Sequence, residues 1–382
     1  MQGPSAAATA VQRSAAESRP APDASDQMAR GPRALEQGAA LSIGLSAAIV
    51  TASVHEPRVL TIGLSSEALE PGRPAASRGD PDAAEALPSG PLEVEHRTLE
   101  IGLRSWVERQ TKQRLGYVEQ LYTFGDRDRL SGDAALALPA LVVAYLALVR
   151  EAGTGKEATT GEAEWRGWYR YFPWEDWREG KPALLGPLET RLEAWTEEAG
   201  RGPERALRAE RLGLAFGRHS ASWNEELVLE RYELLYEAGL VAEAARRPPA
   251  AADVAGLGRQ AATGEGSASG IAMASDHRRI LATAIGRLRG KIKYRPVVFE
   301  LMPPAFTLLQ LQRTVEALAG VRLHKQNFRR LVEQQGLVEE TGAISAATGG
   351  RPARLVRFRR EVLLERPAPG LRLRPGRRAA AG

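Results

Sequence analysis

Leu308, Leu311, Val315 and Leu318 recur at spacings of three, four and three, which lines one face of an amphipathic helix. Thr307 followed by Gln310 is a capping-box start for that helix, and Gly320 stops it. A second helix opens near His324, with Phe328, Leu331 and Val332 facing inward and Gly336 as its stop. Short strands are predicted at 337–341 and 354–358, with Gly349, Gly350, Arg351 and Pro352 at the base of the loop between them. Two helices, a tight turn and an arginine-rich hairpin follow the order of a winged helix-turn-helix.

Upstream the pattern changes. Ile43, Leu45 and Ile49 mark one strand; Val59, Leu60, Ile62 and Leu64 mark a second after the His55-Glu56-Pro57 turn. Residues 66–86 read as a polar loop. A helix is predicted over 97–113, with Leu99, Leu103, Trp106 and Val107 on one side, then strands at 117–124 and 137–149. The segment 160–247 carries an aromatic patch and ends in a helix at 224–247. Its Leu227, Leu229, Tyr232, Leu235, Tyr236 and Leu240 suit a buried or dimer-facing surface. A further helix is predicted over 276–294. Residues 1–38 lack apolar periodicity and read as a disordered tail, and 367–382 read as a disordered basic tail. Residues 248–274, rich in Ala, Gly, Ser and Pro, read as a flexible linker between domains at 39–247 and 275–366. The fold class expected is α+β.

Charge sharpens this picture. The 382 residues carry a net +5, but residues 271–382 hold 22 Lys+Arg against 8 Asp+Glu, while the remainder is acidic at net −9. A basic third on an acidic body points to a polyanion partner for that third, and double-stranded DNA is the partner expected. Lys325, Gln326, Asn327, Arg329 and Arg330 on the second helix have the side chains that pair with base edges and phosphates. Arg351, Arg354, Arg357 and Arg359 are expected to reach the backbone beside the groove. The preceding helix carries Arg278, Arg279, Arg287, Arg289, Lys291 and Lys293, of which Arg278, Arg279, Lys291 and Lys293 are expected to bind DNA. A winged helix used for protein contacts is the less favoured reading, because charge, helix pair and wing agree. No apolar run approaches a membrane span of about 18 residues, and no secretory or transit signal is read. The chain has no cysteine and five histidines, which argues against thiolate or clustered imidazole metal sites and fits a cytoplasmic protein.

The run from Gly90 to Thr111 resembles a degenerate Nudix box, G-x5-E-x7-R-E-U-x-E-E-x-G-U. Gly90, Arg104 and Glu108 match it. His96, Ser105 and Arg109 stand where glutamates belong, and Thr111 replaces the late glycine. Ser105, Glu108 and Arg109 share one helix face, where a hydrolase would present carboxylates to Mg²⁺. One carboxylate beside a cation holds metal poorly, whereas the arginines offer fixed donors to phosphate. The stretch 117–126 and the segment 276–366, including KIKYRPVVFELMPPAFTLLQLQ, HKQNFRRLVEQQGLVE and GGRPARLVRFRREV, are similar to Nudix-related repressors of NAD biosynthesis of the NrtR/NadQ type. That resemblance implies a Nudix-like mixed β-sheet/helix domain followed by the winged helix. It implies a homodimer on a palindromic operator and an adenine nucleotide effector (ADP-ribose, NAD or ATP), with Gly90, Arg104, Glu108 and Arg109 bordering the effector. No catalytic residue, metal or cofactor is expected. The rivals are a Nudix-type nucleoside-diphosphate pyrophosphatase with an accessory winged helix, disfavoured by the depleted box, and an interaction adaptor, disfavoured by the basic third. The aromatic cluster from Trp165 to Trp177 is read as core or dimer interface in preference to a stacking platform for adenine.

Overall fold

The computed structural model describes residues 43–63, 85–125, 141–151, 163–218, 221–246, 269–345, 352–365 and 371. All of these fall within one compact unit, Leu41–Gly382. The tail read over 1–38, most of the loop read over 66–86 and most of the linker read over 248–274 lie outside the described residues.

Strand β1 (Ile43–Ala52) is apolar on both faces, as a central strand must be. It pairs in parallel with β6 (Leu141–Leu148), from Ile43↔Leu141 to Val50↔Leu148. Strand β5 (Tyr117–Phe124) closes that edge antiparallel to β6, with a register shift between Gln120 and Tyr122. The opposite edge of β1 is shared by β4 (Ser89–Pro91) at its start and β2 (Pro57–Gly63) at its end. β2 in turn pairs with β3 (Glu85–Ala86) and β7 (Ala163–Gly167). Alternation along β1 divides the core in two. Leu45, Ala47 and Ile49 face a smaller cluster with Leu103 and Val107 of helix α1 (Leu99–Thr111). Ala48, Val50 and Ala52 face a larger one that continues through all the remaining helices.

The first four of those helices are α2 (Leu185–Glu198), α3 (Pro203–Phe216), α4 (Val228–Glu237) and α5 (His277–Tyr294). The helix expected over 224–247 is shorter, and a separate 3₁₀ turn, Ala242–Arg246, follows it. Tyr232, Leu234 and Leu235 of α4 are buried within the chain, so this apolar face serves the core. Helix α5 buries Ile280, Leu281, Ala284, Ile285, Leu288 and Ile292 against the sheet and α4. The packed chain already resumes inside the stretch read as linker, because Gly270, Ala272 and Met273 are buried. In the tail read as disordered, Leu371 is buried and its N–H donates to the Ile292 carbonyl at 3.0 Å.

Helix α6 (Leu308–Ala319) begins with the expected capping box. Thr307 Oγ1 accepts from Gln310 N, and the Gln310 side chain accepts from Thr307 N. Helix α7 (Lys325–Gln334) follows the turn at Gly320, whose φ of +70° is the left-handed conformation that favours glycine. Strands β8 (Val338–Ser345) and β9 (Ala353–Phe358) form the hairpin, and an isolated antiparallel bridge ties Phe306 to Val356. A final turn of helix, α8 (Val362–Glu365), returns Val362 to the core. The fold is therefore α+β: a mixed sheet with helices, followed by a winged helix-turn-helix.

Candidate nucleic-acid interface and effector site

Helix α7 is sharply two-sided. Phe328 and Val332 are buried, while Lys325, Gln326, Asn327, Arg329 and Arg330 are all exposed. No ion pair engages Lys325, Arg329 or Arg330 among the described residues, so their charge is available to an external anion. The wing differs. Arg354 pairs with Glu340 and Arg357 with Glu339, each at 2.6 Å across the hairpin, and Arg359 pairs with Glu365 at 2.5 Å. These pairs are exposed and worth about 0–1 kcal/mol, so a phosphate can exchange for the carboxylate. Arg351 lies outside the described residues.

The basic residues of α5 are engaged by acidic partners within the chain. Arg278 is fully buried, pairing with Glu243 at 3.1 Å and donating to the Tyr171 carbonyl at 2.5 Å among the rings of Phe172, Trp174 and Tyr232. Arg279 pairs with Glu233 and Asp276, and Arg287 with Glu119. Lys291 pairs with Glu119, and Lys293 with Glu225 at 2.8 Å. Burial pushes the Lys293 ammonium down, but its bonds to Glu225 and Glu226 outweigh that and leave its pKa raised. Regional charge does not separate α7, whose cations are exposed, from α5, whose cations meet acidic partners brought to them from elsewhere in the chain. Arg289, on the same helix, is likewise fully buried. It donates to Glu175 at 2.6 Å, and Glu175 also holds Arg231 at 2.6 Å. Sequence reasoning missed Glu175 and Arg231 altogether.

The box region is tied together tightly. Gly90 lies beneath Trp106, where an added Cβ would come within 2.1 Å of the indole, so close packing explains this glycine. Trp106 Nε1 donates to the Pro91 carbonyl at 2.8 Å, and the Gln110 side chain bonds Ser89 through both its amide atoms. His96 Nδ1 accepts from Glu93 N at 3.1 Å. Arg109 lies 3.7 Å from the centre of the Trp106 ring and 3.5 Å from Glu93, and remains half exposed. Glu108 is exposed beside Arg114 at 3.4 Å. The donors of Arg104 are occupied: Glu100 at 2.8 Å, the Leu115 carbonyl at 2.5 Å and the Gly116 carbonyl at 3.2 Å. Arg104 thus braces the turn after α1, and does not present its donors to phosphate as the box pattern led one to expect. Among the described residues no group of three or more His, Asp or Glu is placed to hold a metal ion.

The aromatic segment is core. Trp168, Tyr171, Phe172 and Trp174 are buried, which leaves them no open face for a base.

Residues 298–358 match the model of the NrtR DNA-binding winged helix domain. A curated relative, the ADPR responsive transcriptional repressor NtrR of Acinetobacter baylyi, is 44% identical over 86 residues, which is 22% of this chain and 34% of the relative. The match thus spans about a third of that relative's length. Similar solved structures include Shewanella oneidensis NrtR complexed with a 27mer DNA. It is 18% identical, with 84% of this chain and 94% of that one covered, and a TM-score of 0.45. A MutT/nudix family protein from Enterococcus faecalis is 16% identical, with 83% and 86% covered, and a TM-score of 0.42. No helix among the described residues is long and apolar enough to cross a membrane. Over residues 298–358 the chain is thus similar to the DNA-binding winged helix domain of the NrtR family.

Proposed function

We propose that the chain is a transcriptional repressor of NAD biosynthesis or salvage genes. It binds a palindromic operator as a homodimer and senses an adenine nucleotide through a catalytically inactive Nudix-like domain. The observation that carries this reading is the exposed cationic face of α7, set on a winged helix of NrtR type. A module of this size reads one half-site, and two-fold symmetry supplies the second. The mixed sheet with the Gly90 loop and α1 supports a Nudix-like sensor, and the response of the Acinetobacter relative to ADP-ribose puts that nucleotide first among ADP-ribose, NAD and ATP. Arg109, half exposed beside Trp106, is the box residue best able to meet phosphate. Glu108 borders the same helix face, and Gly90 and Arg104 shape the site from behind. Such a regulator works in the cytoplasm, and the residues present call for no resident cofactor.

The test uses the full chain and duplexes selected from a random pool. ADP-ribose, NAD and ATP are titrated into the protein–duplex complex, and binding is followed by fluorescence anisotropy. ADP-ribose is expected to weaken duplex binding, and the duplex to weaken ADP-ribose binding by the same factor. Arg109→Ala should abolish the response directly, and Arg104→Ala should reduce it by loosening the 115–116 turn. If no duplex is enriched, the regulator reading fails. If all three nucleotides bind without altering duplex affinity, the sensor half alone fails.

The pyrophosphatase reading predicts the opposite chemistry. Metal-assisted attack on phosphorus needs a cation held at the bridging oxygens. Glu108 is a lone box carboxylate beside Arg109 and Arg114. ADP-ribose with Mg²⁺ or Mn²⁺ should therefore remain intact, as followed by phosphate release after phosphatase treatment. Turnover that disappears in Glu108→Gln would favour the enzyme.

A further inference from the structure

The end of α6 is gripped from outside the winged helix. The last carbonyls of a helix lack intrahelical partners and need donors. In α6 the Ala317 carbonyl accepts from Tyr169 Oη at 2.6 Å, and the Leu318 carbonyl from Arg289 Nε at 3.0 Å. The Gly320 carbonyl just beyond accepts from Trp177 N at 2.7 Å. All three donors belong to the sheet domain and α5. Arg289 also places a cation at the negative end of the helix dipole. Gly320 packs so closely on this seam that an added Cβ would stand 2.3 Å from the Glu175 carbonyl oxygen. Arg322, two residues on, pairs with Glu179 at 2.5 Å and Glu316 at 3.2 Å. The gripped residues are the last turn of α6 and the glycine that opens the turn of the helix-turn-helix, and α7 starts five residues after Gly320.

We propose that this seam, Tyr169, Trp177 and Arg289 on Ala317, Leu318 and Gly320, fixes the direction in which α7 leaves the sheet domain and thereby sets the operator half-site spacing that the protein accepts. The inference rests on the reading of the chain as a dimeric DNA binder. A reader on a slack tether would reach half-sites over a range of separations, because a linker sets only an effective concentration. A reader held at three carbonyls has one orientation relative to its domain, and in a dimer the two α7 helices then have one separation and one phase. Each inserted base pair moves a half-site by about 3.4 Å and turns it by about 35° around the duplex. A rigid pair cannot follow both changes. Tyr169, Trp177 and Arg289 are positioning residues: they touch no DNA and select spacing through α7.

The experiment measures binding of the full chain to the palindrome enriched from the random pool, to versions with one, two or four base pairs inserted at its centre, and to a single half-site. Wild type is compared with Tyr169→Phe, which removes one seam hydrogen bond, and with Gly320→Ala, which wedges the seam apart. Wild type is expected to lose at least about tenfold in affinity on insertion of two base pairs, a modest part of the gain that bivalency can supply. Tyr169→Phe and Gly320→Ala should lose clearly less on insertion, while their single half-site affinity matches wild type. A merely destabilised protein would instead lose affinity equally for every duplex. Identical spacing profiles for wild type and Tyr169→Phe would overturn the seam assignment and leave the DNA-binding reading intact, whether or not Gly320→Ala folds. Tolerance of all insertions by wild type would overturn it as well. A chain that sediments as a monomer on the palindrome would overturn both.

Discussion

Glu175→Ala is expected to lower the stability of the full chain by about 3–5 kcal/mol, the range for removing one partner from a buried ion pair. Glu175 is 1% exposed and stands between Arg231 and Arg289, both fully buried. Its removal leaves two guanidinium groups with no anion in a water-poor interior. Trading the whole triad for apolar residues is often neutral in proteins, but not here. Arg231 also serves the carbonyls of Ala215 and Asn224, and Arg289 those of Glu225 and Leu318. Apolar replacements would strand these backbone acceptors, at about 1–3 kcal/mol each. Urea unfolding of Glu175→Ala, Glu175→Gln and wild type measures the effect, with Gln expected to fall between. A loss below about 1 kcal/mol for Ala would mean that water or a rearrangement compensates the arginines.

Arg329→Ala should weaken binding of the full chain to its enriched duplex by about 1–3 kcal/mol, or about 5- to 150-fold, as for loss of a base-edge contact. Lys325→Ala at the start of α7 should act mainly on the backbone, reducing the slope of log affinity against log salt by about one. By contrast Lys293→Ala should leave the slope unchanged, because its charge is already spent on Glu225 and Glu226. Anisotropy at four salt concentrations separates the three outcomes. An equal slope change for Lys293 and Lys325 would mean that α5 meets DNA after all.

Local signals were legible wherever the chain answers to itself. The capping box at Thr307 and Gln310, the glycine stop at 320 and the strand marked by Ile43, Leu45 and Ile49 are set by neighbours in sequence, and the structure places each where the pattern does. Leu185, Leu188, Leu192 and Trp195 recur at three, four and three, a helical period in the sequence that identifies α2. What could not be read was pairing at a distance. Arg278 and Arg289 look like DNA ligands until Glu243 and Glu175 are brought to them, 35 and 114 residues away in the chain. Composition likewise placed a linker across 248–274, although 269–274 already belongs to the packed body. For Arg104, the box spacing located the residue but not its partners, which are carbonyls in the following turn.

The glutamates of the wing carry a further consequence. Glu339 and Glu340 hold Arg357 and Arg354 on opposite faces of the hairpin. Any phosphate that recruits these arginines must displace a carboxylate already in place, and the displaced carboxylate then stands near the phosphate backbone and repels it. A loosely seated duplex gains little from such an exchange, whereas one seated deeply by α7 has contacts to spare. On the proposed reading, the wing would thus carry its own competitor for DNA, which would tax casual encounters more heavily than correct ones and hold back the stickiness that a bare row of arginines would give the protein along the genome.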